Sequence, residues 1–241
     1  MNLRLLSGLL DFFYPPRCLV CNKIGAQVHP ACRAELPFIL APFCSYCGLP
    51  LPTAASICDS SLCLRSPEER SLDRVCSVFR HSQGARQSVL RLKYKGVSSL
   101  TDWLVSELAG AVRRNKLEVA DGVLAVPLHS RRLRERGYNQ AGLLAVGLSH
   151  YLNLTSYEGL LVRSRETRSQ VGLDGSSRTK NMRGAFTWQG KPLEGQTLLL
   201  IDDVCTTGAT LSECAGVLKL AGASRVWGVT VTRELRHESQ Y

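Results

Sequence analysis

Leu198-Leu199-Leu200-Ile201-Asp202-Asp203-Val204-Cys205-Thr206-Thr207-Gly208-Ala209-Thr210 is the stretch whose reading decides the fold. Four consecutive large apolar residues predict a strand covered on both faces, as in parallel sheets. Beyond it, Leu211, Cys214, Ala215 and Leu218 recur at helical spacing, and Gly222 offers a stop. The turn from Thr206 to Thr210 is small and rich in hydroxyls. Its backbone N–H groups and side-chain oxygens can converge on an anion where the helix dipole also favours one. Asp202 and Asp203 would repel a bare phosphate, so the ligand that suits this stretch also carries hydroxyls or a divalent cation. An ordinary strand-turn-helix with an Asx-type cap accounts for one Asp and one Thr, but not for the whole ordered set.

The set resembles, without a gap, the phosphoribosyl-pyrophosphate (PRPP) signature of type I phosphoribosyltransferases. The resemblance implies that Asp202 and Asp203 are the catalytic pair holding the ribose hydroxyls. It implies that Val204, Cys205, Thr206, Thr207, Gly208, Ala209 and Thr210 wrap the 5′-phosphate, and that Mg²⁺ accompanies PRPP.

Upstream, Gly122 to Leu128 reads as a second buried strand whose Pro127 marks its carboxyl end. Ligands of open α/β sheets gather at such ends. There the chain places Arg131, Arg132, Arg134 and Arg136, then Gly137-Tyr138-Asn139-Gln140 and a helix from about Gly142 to Leu152. A solvated charge run is the usual meaning of such density, but this one sits at a strand end. Val-Pro-Leu, the basic run and Arg-Gly-Tyr-Asn-Gln, together with the PRPP-like stretch and an N-terminal cysteine module, resemble the ComF family over essentially the whole chain. The resemblance implies that Arg131, Arg132 and Lys93 neutralise pyrophosphate. Two positions depart from the family's habit: Tyr138 stands where Phe is usual, and His29 where Cys is usual.

Eight of the ten cysteines lie in the first 76 residues. Seven of these, with one histidine, form Cys18-x2-Cys21, His29-x2-Cys32, Cys44-x2-Cys47 and Cys58-x4-Cys63. With no export signal read in the chain, such pairs favour metal over disulfides. Two knuckles complete a closed tetrahedral site, so eight donors suggest two structural zinc ions. Sequential pairing puts Cys18, Cys21, His29 and Cys32 on the first and Cys44, Cys47, Cys58 and Cys63 on the second. An iron–sulfur cluster would use some of the same thiolates. Cys76 and Cys214 read as core residues, and Cys205 as small filler in the anion loop.

Between these landmarks, Val75 to Phe79 predicts a strand, Ala85 to Lys93 a short helix, and Ser98 to about Arg114 a longer one with an apolar stripe. Ala185 to Trp188 and Ser224 to Thr232 predict further strands. The aperiodic, basic stretch 163–181 reads as a flap over the site. The chain has 241 residues and a net charge of +10. Residues 1–70 hold six basic and five acidic residues, and the remainder 24 and 15. That excess suits phosphorylated ligands or nucleic acid without choosing between them. Met1 to Phe13 reads as an amphipathic helix rather than a signal peptide, no stretch is apolar enough to span a membrane, and the expected location is cytoplasmic.

The expected architecture is a type I phosphoribosyltransferase-like parallel sheet flanked by helices over 66–241, behind a double zinc ribbon over 1–65. Two functions fit. One is transfer of ribose-5-phosphate from PRPP to an acceptor, with release of pyrophosphate. The other, which the family resemblance implies through natural competence, is a non-catalytic single-stranded DNA-binding factor that uses PRPP as a ligand and works with other DNA-uptake proteins. No residue in the sequence reads as an acceptor contact.

Overall fold

A computed structural model of the chain describes residues 15–53, 58, 60, 62–63, 70–94, 98–164 and 184–235. The predicted N-terminal helix and most of the predicted flap lie outside these residues. In chain order the described elements are α1 (Pro30–Ala34), β1 (Arg74–Arg80), α2 (Gln83–Tyr94), α3 (Ser98–Arg114), β2 (Gly122–Ala125), α4 (Ser130–Arg136), α5 (Gln140–Leu152), β3 (Thr155–Ser156), β4 (Leu161–Arg163), β5 (Phe186–Trp188), β6 (Thr197–Cys205), α6 (Ala209–Leu220) and β7 (Arg225–Arg233). Each predicted strand and helix among these residues is present within a few residues of its expected bounds. Among the described residues, no helix is long and apolar enough to cross a membrane.

Five strands form one all-parallel sheet in the order β1-β7-β6-β2-β3, and β4 pairs antiparallel with β5 as a separate hairpin. The unbroken apolar run of β6 is explained by its central place. Leu199 and Ile201 pack in a layer with α2, α3 and α5, while Leu198 and Leu200 pack on the opposite face with α6. All four are fully buried, each contributing roughly 2 kcal/mol through area removed from water. On α6, Leu211, Cys214, Ala215 and Leu218 are the buried stripe, as their spacing predicts.

The arginine run differs from expectation. It forms α4, a helix of its own, capped at its start by His129 Nδ1 accepting from Arg131 N at 3.3 Å. Gly137 ends it in the left-handed region at φ 78°, with its N–H donating to Leu133 O at 2.8 Å. A second cap follows at once: Asn139 Oδ1 accepts from Ala141 N at 3.1 Å and opens α5.

The cysteine module lies on the sheet's β1 edge. Ile39 N donates to Val78 O at 2.9 Å, Arg80 N to Pro37 O at 2.8 Å, and Val75 N to Tyr46 O at 2.6 Å. Residues 37–46 thus occupy the hydrogen-bonding edge that β1 would otherwise expose. The module reaches around that edge to both faces: Leu19 and Leu36 join the α2–α3 layer, and Cys47 and Leu62 the α6 layer. Arg33 adds a two-pronged ion pair to buried Glu107, at 2.5 and 2.8 Å.

Candidate functional site

Strand order reverses between β2 and β6: the chain runs outward from β2 to β3 on one side and from β6 to β7 on the other. The carboxyl ends of neighbouring strands leave a crevice at such a switch point. A cavity of about 930 Å³ opens there. Asp202 to Leu211 line one side, Val126 to His129 with Arg131 and Arg132 another, and Lys93, Asn139 and Gln140 also reach it. The structure therefore brings together Asp202, Asp203, Val204, Cys205, Thr206, Thr207, Gly208, Ala209, Thr210, Arg131, Arg132 and Lys93 in one cavity wall.

The two acids are not equivalent. Burial, and then the neighbouring Asp203 charge, push the Asp202 carboxyl up to about 8. Its Oδ1 accepts from Asp203 N at 2.8 Å. Lys93 Nζ lies 2.9 Å from Asp203 Oδ2, so the ammonium expected on the pyrophosphate side rests on an acid expected on the ribose side. A cavity floor holding one protonated and one lysine-paired carboxyl is ready to accept hydrogen bonds from a diol, or a cation, once Lys93 swings away.

The anion loop is set by its neighbours. Gly208 takes φ 76° as the residue before α6. A Cβ there would lie 2.6 Å from Leu62 Cδ1, a side chain only 1% exposed that immediately precedes Cys63 of the second cysteine cluster. The metal module thus packs directly beneath the loop. Gly208→Ala is expected to lower stability by about 2 kcal/mol through left-handed strain and overpacking. It should also weaken binding of anionic ligands, and Leu62→Ala in the same chain should return part of the loss. Thermal melting of the two single variants and the double variant checks this, and an unchanged melting temperature in Gly208→Ala would contradict the packing.

Cys205 is buried, its thiol pushed up by burial, and it accepts a hydrogen bond from the buried Arg233 guanidinium. A protonated thiol behind the loop is packing, not a nucleophile. Cys76 and Cys214 are likewise buried, with thiols raised by burial.

Sequence reasoning missed His81, Arg86 and Glu234, all of which line the cavity. His81 follows β1 and Glu234 follows β7, so the strand-end rule that marked Pro127 and Asp202 would have found both. His81 Nδ1 is 2.8 Å from Thr232 Oγ1. Burial is the main cause holding its pKa below the usual value, so the ring is neutral at pH 7. Gln140, 2% exposed, also lines the cavity, and its Nε2 has no hydrogen-bond partner among the described residues.

The cysteine clusters are sequential, as the spacing predicts. One donor atom each from Cys18, Cys21, His29 and Cys32 lies within 4.8 Å of the others, and the same holds for Cys44, Cys47, Cys58 and Cys63. His29 Nδ1 approaches Cys21 Sγ at 3.4 Å. Burial works against the Cys18 thiolate, but backbone donors at Cys21, His29 and Val20 outweigh it and bring the thiol down to about 6. Donor set and spacing fit closed tetrahedral zinc, and both clusters are structural zinc sites.

Comparison with known proteins agrees. A double zinc ribbon domain family matches residues 9–64. Competence protein F of Haemophilus influenzae is 30% identical over 232 residues, covering 90% of this chain and 97% of that protein. DNA utilization protein YhgH of Salmonella typhimurium is 33% identical over 213 residues, covering 87% of this chain and 86% of that protein. Competence protein ComFC of Bacillus subtilis is 27% identical over 221 residues, covering 90% of this chain and 88% of that protein. Among solved structures, a purine phosphoribosyltransferase from Pyrococcus horikoshii overlaps 56% of this chain and 82% of its own, at 17% identity and a TM-score of 0.35. With relatives of 30% and 33% identity matched over most of their length, and with its double zinc ribbon, the chain belongs to the ComF family.

Proposed function

We propose that the cavity binds PRPP together with Mg²⁺, in a cytoplasmic protein that serves DNA uptake. One observation carries the reading: two acids and a hydroxyl-rich anion loop meet at the sheet's switch point, with arginines across the cavity. Asp202 and Asp203 accept from the ribose hydroxyls. The turn from Thr206 to Thr210, with the N-terminus of α6 behind it, takes the 5′-phosphate. Arg131 and Arg132 face the pyrophosphate side, and Lys93 joins them when ribose displaces it from Asp203. Magnesium, when bound, neutralises the diphosphate. The names of the relatives, competence protein and DNA utilization protein, support the role in DNA uptake.

Transfer of ribose-5-phosphate requires an acceptor at the anomeric carbon, and neutral His81 is the wall residue suited to take its proton. A second reading, a non-catalytic factor for single-stranded DNA, is favoured by α4, whose four arginines stand on a helix of seven residues. Incubation with PRPP, Mg²⁺ and a panel of nucleobases separates the two. Pyrophosphate release that His81→Ala abolishes supports transfer, whereas stabilisation against heat by PRPP without any release supports the binder. No effect of PRPP on melting would contradict both.

A further inference from the structure

A second cavity, of about 650 Å³, adjoins the first, and Pro127, Leu128, Asn139 and Arg163 line both. Its character is opposite. Leu133, Tyr138, Leu143, Val146, Tyr157 and Leu161 supply its walls. Both tyrosines are held by their hydroxyls: Tyr138 donates to Leu92 O at 2.6 Å, and Tyr157 to Gln196 Oε1 at 2.7 Å. Neither acceptor residue lines the cavity, so the rings stand fixed with their polar tips engaged elsewhere. Tyr157 is steadied further by Trp188, edge to face at 5.9 Å. Leu133 and Leu143 remain 43% and 38% exposed at this cavity.

The surroundings select the occupant. Leu133 sits in α4 among Arg131, Arg132, Arg134 and Arg136, and the helix's single acid, Glu135, is paired with Arg131 at 3.0 Å. A second copy docked here about a two-fold axis would bring the same cationic helix against itself, in a chain of net charge +10. A neutral apolar metabolite would gain nothing from a cationic helix at the rim. A polyanion carrying flat apolar rings satisfies both features, because phosphates suit the arginines and bases suit a slot walled by rigid rings. We infer that this cavity receives an unstacked base of single-stranded nucleic acid whose phosphates run along Arg134 and Arg136, the α4 arginines not assigned to pyrophosphate. The inference rests on the DNA-uptake role proposed above and assigns it a place. Duplex is excluded, since a paired base would first have to leave its stack.

Fluorescence anisotropy of the full-length zinc-loaded protein tests this with oligodeoxythymidylate, an abasic strand of equal length, and duplex, at about 50 mM salt, where phosphate contacts are strong. The thymidylate strand should bind the wild type about tenfold more tightly than the abasic strand, the range expected for one stacked base. Leu133→Ser with Leu143→Ser should erase that difference while leaving abasic-strand affinity and PRPP-induced stabilisation unchanged. Equal binding of the two strands by the wild type, or duplex binding as tight as single strand, overturns the base slot and needs no variant. Sedimentation showing a wild-type dimer that the double variant dissociates overturns it in favour of a second copy. If the wild type binds neither strand, the slot falls together with the DNA-uptake role, while PRPP binding stands on its own titration.

Discussion

Asp202→Asn combined with Asp203→Asn is expected to lower PRPP affinity by at least about a hundredfold, because two charge-assisted hydrogen-bond acceptors for a diol each contribute roughly 1.5–3 kcal/mol. The same change should stabilise the ligand-free protein. In the folded chain, burial and the Asp203 charge hold the Asp202 proton to about pH 8, against an ordinary value of 3.8. The unfolded chain therefore loses that proton first. Stability conferred by this group falls as pH rises from about 4 to about 8 and is level above that. The Asn pair lacks this slope, so its stability relative to the wild type should rise by several kcal/mol between about pH 4 and about pH 8. Melting curves from about pH 5 to about pH 9 check the sign. A variant that binds PRPP like the wild type, or melts lower throughout, contradicts the assignment.

Removal of zinc is expected to be the most damaging single treatment. Elemental analysis of the purified protein should give about two zinc ions per chain, as two closed four-donor sites require. Stripping both with a strong chelator should lower the melting temperature by roughly 10 °C or more, the scale of several kcal/mol in a chain of this size. The damage extends beyond the ribbon for a structural reason: residues 37–46 cover the β1 edge, and Leu62 supports Gly208. Weakened PRPP binding should therefore accompany loss of the second zinc, and exposure of the β1 edge should promote aggregation. One zinc per chain would retire either the His29 site or the sequential pairing.

The sequence made β6, its acidic end and α6 legible because all the necessary signals are local: a doubly buried strand has no polar face, a turn onto an anion needs small residues, and the following helix shows its stripe. The cysteine pairs were legible for the same reason. By contrast, α4 has Leu133 as its one apolar residue, so no periodicity announces a helix, and its ends are set by His129 and Gly137 alone. Strands β3 and β4, of two and three residues, are too short to alternate visibly. His81 and Glu234 join the cavity only because β1 and β7 are neighbours in the sheet, though more than 100 residues separate them. Leu62 meets Gly208 only because the ribbon reaches around the sheet edge. These are contacts of long sequence separation, to which local patterning is blind.

The central claim is that the switch-point cavity reads ribose-5-phosphate on one side and pyrophosphate on the other. Calorimetric titration of the wild-type protein with PRPP, with and without Mg²⁺, and with ribose-5-phosphate and pyrophosphate separately, addresses it most directly. The account predicts one PRPP per chain, tight only with Mg²⁺, and weaker binding of each fragment. No heat from PRPP in the presence of Mg²⁺, or binding indifferent to the metal and to the ribose, would contradict it.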